Sequence, residues 1–105
     1  MLEKHIEVYV KKEVEKLGGK CLKWVCPGNA GVPDRIILLP TGEVWFAEFK
    51  NDKYQPTEIQ RYWIRTLGGL GFKAGVICGM ENARYFVQIM RMRCSNGEEV
   101  IDHVI

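Results

Sequence analysis

Two apolar runs, Ile36-Ile37-Leu38-Leu39 and Val44-Trp45-Phe46-Ala47, are separated only by Pro40-Thr41-Gly42-Glu43. A connection so short and so rich in turn formers folds the second run back on the first as an antiparallel hairpin. The turn also sets the register: with its centre near residues 41 to 42, position 34 falls roughly opposite positions 48 to 50. Asp34, which follows Pro33, is thereby brought beside the Glu48-Phe49-Lys50 end of the second run. Side chains alternate along a strand, so Glu48 and Lys50 share one face while Phe49 points into the opposite layer.

Two carboxylates a few ångströms apart repel, and such a pair either shares a proton or holds a cation. Oxygen ligands with no His or Cys nearby suit Mg²⁺ or Mn²⁺, which keeps several waters and completes its shell with substrate phosphate. The chemistry implied is metal-assisted phosphodiester hydrolysis. The plainer alternative is a strand-start aspartate and a solvated Glu48–Lys50 pair, since P-D followed by E-x-K also arises by chance.

The surrounding elements give the motif a setting. Residues 2 to 17 carry Leu2, Ile6, Val10, Val14 and Leu17 near the helical period, and Gly18-Gly19 stops the pattern. Lys20 to Cys26 reads as a short strand, Gly28 to Gly31 as a loop, and 33 to 39 with 44 to 50 as the hairpin. Residues 57 to 70 form a second helix with Ile59, Trp63, Leu67 and Leu70 on one face, and Lys73 to Cys78 a buried strand. Met80 to Arg93 predicts a third helix, and Val100 to Ile105 a short terminal strand. The core order is αβββαβ in one α/β domain spanning 1 to 105.

The ordered set Gly31-Val32-Pro33-Asp34-Arg35-Ile36, Phe46-Ala47-Glu48-Phe49-Lys50, Gln60 in a helix and Gly71 before a last strand resembles the virus-type replication-repair nuclease (VRR-NUC) group of the PD-(D/E)xK nuclease superfamily. The likeness covers about residues 3 to 80. It implies a restriction-endonuclease-like core of mixed sheet flanked by helices, with Asp34 and Glu48 as ligands of Mg²⁺ (or Mn²⁺), Lys50 as catalytic lysine and Gln60 as the helix residue of the site. It also implies a glutamate from the first helix, Glu7 in preference to Glu3. The Phe49 carbonyl is the expected third metal ligand. An endodeoxyribonuclease acting on branched or junction DNA, encoded by a phage or prophage, is the implied activity; a non-catalytic nucleic-acid-binding module on the same fold is the alternative.

Several of these residues carry a second reading. Glu3 and Glu7 share a helix face at i and i+4, so either can serve. Thr57-Glu58-Ile59-Gln60 matches a capping box, which would turn the Gln60 side chain back onto the Thr57 N–H. A cap and a role at the site can coexist, because a helix start presents unpaired N–H groups that suit phosphate. Lys50 would polarise the attacking water or, in the plainer reading, form a surface ion pair. The loop Pro27-Gly28-Asn29-Ala30-Gly31 lacks bulk and reads as a mobile, substrate-facing segment. Lys11, Lys23, Asn29, Arg35, Lys53 and Arg61 are candidates for the DNA path, although scattered helix lysines also serve solubility.

With 105 residues, 47% apolar and 27% charged, the chain has enough material for one core but is small for an enzyme that grips DNA. Two strands of a junction would then be cut most simply by a symmetric homodimer. The net charge is only +2, yet Glu98, Glu99 and Asp102 fall in the last eight residues, so the rest of the chain is more basic than that figure. No apolar run approaches the ~18 residues of a membrane span and no signal-peptide core appears, which predicts a cytoplasmic protein of a bacterial or phage-infected cell. Cys21, Cys26, Cys78 and Cys94 form no C-x-x-C pair and read as reduced core thiols. No P-loop or Rossmann fingerprint is present, so no organic cofactor is expected.

Overall fold

The computed structural model describes residues 3–96. The elements are α1 (Glu3–Lys16), β1 (Lys20–Lys23), β2 (Arg35–Leu38), β3 (Val44–Lys50), α2 (Glu58–Gly69), β4 (Lys73–Cys78) and α3 (Gly79–Asn96). The proposed terminal strand 100 to 105 and Leu2 of the first apolar stripe lie outside the described residues.

Helix α1 forms because Ile6, Val10 and Val14, four residues apart, fall on one face, and each is completely buried. Burying a Val or Ile side chain contributes about 1.5–3 kcal/mol relative to leaving it exposed, so this stripe docks the helix. The chain leaves the helix through Gly18 at φ +89, with Gly19 N–H donating to Val14 O at 3.0 Å. A Cβ at Gly19 would sit 2.5 Å from Leu38 O, so this close approach to β2 requires glycine.

The four strands lie in the order β1-β2-β3-β4. Neighbours β1/β2 and β2/β3 are antiparallel, and β3/β4 are parallel. A parallel pair needs a crossover, and α2 supplies it. The hairpin register sets Arg35 opposite Ala47 and Leu38 opposite Val44, which brings Asp34 level with Glu48, as the position of the turn predicts. The turn closes through Leu39 N–H to Glu43 O and Gly42 N–H to Leu39 O, with Gly42 at φ +92.

Of the element limits that differ from the sequence reading, three have a clear local cause. β1 ends at Lys23 rather than Cys26: Trp24 N–H still bonds Asp34 O at 2.8 Å, but Val25 is 76% exposed and the chain turns away. β2 begins at Arg35 rather than residue 33, because Pro33 has no N–H and the N–H of Asp34 goes to a side chain instead of the ladder. Helix α3 is longer than 80 to 93, since its buried face of Ala83, Phe86, Val87 and Met90 is continued by half-buried Cys94.

The sheet has two unlike faces. On one, α1 and α3 cover Cys21, Ile37, Ala47 and Phe49, with Phe86 of α3 set edge-on against Trp45 and Phe49. On the other, Phe46 packs between Trp24, tilted at 4.9 Å between ring centres, and Phe72, edge-on at 5.5 Å, and α2 lies along β4. Of the seven Tyr and Trp residues, Tyr62 and Tyr85 are the exposed ones. Cys21 is buried, and that burial pushes its thiol up to about 11; the other three cysteines are only half-buried.

Candidate active site

The site begins where β2 and β3 cease to pair. Their ladder ends at Arg35 and Ala47, so residues 48–50 of β3 continue along β4 with no partner from β2. Into that opening Glu48 turns a carboxylate that is nearly buried, at 6% exposure, and Oε1 accepts the Asp34 N–H at 3.1 Å. Asp34 itself has a buried oxygen, Oδ1, with no hydrogen-bond partner. Burial first, then the negative charges of Glu48 and Glu7, push the Asp34 acid up to about 7, against the weaker pull of Lys50 and Arg35. An unpartnered carboxylate oxygen beside a second carboxylate is the arrangement a hard divalent cation would relieve. Among the described residues no group of three or more His, Cys, Asp or Glu side chains converges on one point, so a cation here would rest on two carboxylates, main-chain oxygen and water. The Phe49 carbonyl belongs to the 48–50 stretch that has no partner from β2, while its ring is anchored against Phe86 in the core.

Lys50 stands two residues along on the same face. Its Nζ is 3.1 Å from Glu48 Oε2 and 3.3 Å from Glu3 Oε1, and lies 4.7 Å from the centre of the Tyr54 ring. Burial disfavours the ammonium, but the adjoining Glu48 and Glu3 carboxylates outweigh it and raise its pKa above the ordinary value, so the group stays charged.

The two candidate glutamates of α1, one turn apart, reach different partners. Glu7 accepts from Arg35 Nε at 3.1 Å, with both side chains largely covered, and its charge contributes to the rise at Asp34. Glu3 pairs with Lys50. Arg35, expected along the DNA path, therefore has its guanidinium engaged with Glu7.

Gln60 adopts the capping box in full: its Oε1 accepts the Thr57 N–H at 2.9 Å, and its own N–H bonds Thr57 Oγ1 at 3.3 Å. The amide Nε2 is left as the part of Gln60 that could meet substrate. The Pro27–Gly31 loop is held more firmly than its composition predicts. Trp63 Nε1 donates to Ala30 O at 3.0 Å, Asn29 Nδ2 donates to Cys26 Sγ at 3.4 Å, and Gly31 at φ +88 packs on Ile59. Of the other basic candidates, Lys11, Lys23 and Arg35 come together around one hollow, whereas Lys53 and Arg61 are exposed beyond β3 and on α2. Tyr54 is the residue sequence reasoning missed: it sits in a loop without periodicity, and only the fold carries its ring to Lys50.

No family model matches the chain. It is 40% identical over 75 residues to "Putative nuclease p44" of Acyrthosiphon pisum secondary endosymbiont phage 1, covering 71% of this chain and 81% of that protein. A solved structure described as "VRR_NUC domain" superposes with a TM-score of 0.75 at 25% identity, covering 82% of this chain and 94% of its own.

Proposed function

The chain belongs to the VRR-NUC group of nucleases, and from that premise we propose a Mg²⁺- or Mn²⁺-dependent endonuclease of DNA in which Asp34, Glu48 and the Phe49 carbonyl hold the cation. The observation that carries the reading is the buried, unpartnered Asp34 Oδ1 beside Glu48. Bound there, a divalent cation supplies electrophilic activation of the phosphate and a lowered pKa for the attacking water.

The chain's own residues do the rest. The Lys50 ammonium, held against Glu48, orients the water and offsets the negative charge that builds on the phosphorane. The water oxygen bonds phosphorus as its proton passes to solvent, one P–O ester bond breaks, and the departing sugar oxygen takes a proton from solvent water. Glu7, fixed by Arg35 on the α1 side of Asp34, orients solvent at the site. Gln60 Nε2, the amide nitrogen that the capping box does not use, would donate to the phosphate.

We extend the proposal to branched or junction DNA, cut by a homodimer whose two-fold axis sets one site on each of two related strands. The relative's phage origin supports a protein that works in the cytoplasm of a phage-infected or lysogenic bacterium, and no helix among the described residues is long and apolar enough to cross a membrane. The test is incubation of pure protein with labelled linear, flap and four-way DNA, with and without Mg²⁺ or Mn²⁺. Cleavage that needs metal and favours the four-way substrate is expected; cleavage undiminished by chelator overturns the metal reading. Mn²⁺ soaked into crystals is expected about 2.1 Å from one oxygen each of Asp34 and Glu48. For assembly, a mixed dimer with one Glu48→Gln subunit is expected to nick one strand and resolve junctions poorly. A monomer with full junction cleavage refutes the dimer.

A further inference from the structure

Beside the Glu7–Arg35 pair the surface sinks into a hollow of about 420 Å³, lined by Lys4, Glu7, Val8 and Lys11 of α1, Lys23 at the end of β1, and Arg35. Its charge is lopsided. Four cations meet one carboxylate, and that carboxylate is already engaged by Arg35. Lys4 and Lys11 are seven residues apart, two helical turns, so they flank Glu7 on the same stripe. All three lysines are exposed, and none of the ion pairs among the described residues involves them. A concave surface with three unneutralised ammonium groups raises the local concentration of anions, and point-charge lysines are suited to phosphate. The hollow adjoins the site through its own lining: Arg35 follows Asp34 in the chain, and its Nε donates to Glu7 at 3.1 Å.

We propose that this hollow is the subsite for the backbone phosphates next to the scissile one, one at each of Lys4, Lys11 and Lys23, so that the bound strand leaves the active site between α1 and the end of β1. This rests on the reading of the chain as a DNA nuclease. Within it, Arg35 is a floor residue that holds Glu7, while Lys4, Lys11 and Lys23 are the phosphate contacts. Lys4, in the first turn of α1, thereby joins the binding surface.

The experiment is DNA affinity as a function of salt, measured on the full chain with duplex DNA in Ca²⁺ for wild type and for Lys4→Ala/Lys11→Ala/Lys23→Ala. Removing one lysine–phosphate interaction reduces the slope of log K against log [salt] by ~0.9, so the triple variant is expected to show a slope shallower by ~2.7. Between 50 and 200 mM salt the wild type should then weaken roughly 40-fold more than the variant. A matched removal of three charges away from the hollow, Lys73→Ala/Arg84→Ala/Arg93→Ala, is expected to leave the slope within about one of wild type. Unchanged melting of the lysine variant establishes that it folds. A wild-type slope in the hollow variant, or an equal fall in both variants, overturns the subsite while leaving the nuclease reading intact. A wild type that neither binds nor cuts DNA overturns that reading itself.

Discussion

Asp34 and Glu48 are joined by a hydrogen bond from the main-chain N–H of the first to Oε1 of the second, at 3.1 Å. The bond sets the two carboxyl groups side by side at the point where β2 and β3 part. Asp34 is thereby held by its backbone, leaving its own carboxylate to serve a ligand, and stability and activity here pull in opposite directions.

Replacing Asp34 by Asn is expected to abolish cleavage and to stabilise the metal-free protein at pH 8. Its acid is raised from the ordinary 3.8 to about 7 in the fold. A raised carboxyl holds its proton more tightly folded than unfolded, so the stability it contributes is present at low pH and is lost as pH climbs from about 4 to about 7. Since the group is partly exposed, solvent screening reduces the effect to roughly 1 kcal/mol, about 4–8 °C in a domain of this size. Melting curves from pH 4 to 8 check this: the advantage of Asp34→Asn should grow with pH, and should shrink when Mg²⁺ is added to wild type. Loss of the fold in the variant would mark Asp34 as structural instead.

Lys50→Ala is expected to slow single-turnover cleavage at least tenfold, about 1.4 kcal/mol of transition-state stabilisation, with a much smaller fall in DNA affinity. Tyr54 acts on the same ammonium through its ring face. Tyr54→Leu should therefore slow cleavage several-fold while Tyr54→Phe does not, and Tyr54→Leu should cost nothing further once Lys50 is alanine. Additive losses in that double-mutant cycle would separate Tyr54 from Lys50.

The glutamates of α1 should be separable by their partners. Glu7→Gln weakens the Arg35 contact on the Asp34 side of the site, and Glu3→Gln weakens a partly exposed contact to Lys50. The expected result is a loss of tenfold or more in single-turnover rate for Glu7→Gln and only a few-fold loss for Glu3→Gln. Arg35→Ala should resemble Glu7→Gln in rate; an effect of Arg35→Ala on binding alone would return that arginine to the DNA path.

Gly31→Ala is expected to destabilise the protein by about 1–3 kcal/mol, because the position combines φ +88 with an Ile59 side chain only 2.8 Å from the new Cβ. Gly28→Ala is the comparison. That residue has φ +85 but open space around it, so it should carry the backbone cost alone and lower Tm by less. Equal effects in thermal melts would show that the contact between the loop and α2 contributes nothing.

Local patterns in the chain carry much of this architecture. The turn at Pro40–Glu43 and the apolar runs beside it specify the hairpin, and a two-residue side-chain period then puts Glu48 and Lys50 on one face and Phe49 in the core. The four-residue spacing of Ile6, Val10 and Val14 specifies the inner face of α1, and Thr57 with Gln60 specifies the start of α2. These features depend on neighbours within a few positions, so they can be read from the order of residues.

Contacts between distant segments cannot. Which partner each glutamate of α1 meets depends on how that helix crosses the sheet: Glu7 finds Arg35 28 residues away, and Glu3 finds Lys50. The start of β2 one residue after Asp34 follows from a side chain fourteen positions on capturing its N–H. The same is true of Tyr54 under Lys50 and of Lys4, Lys11 and Lys23 around one hollow. Periodicity records which face of an element is buried; the packing of one element on another sets which charges are neighbours, and that packing gives Asp34 its raised pKa.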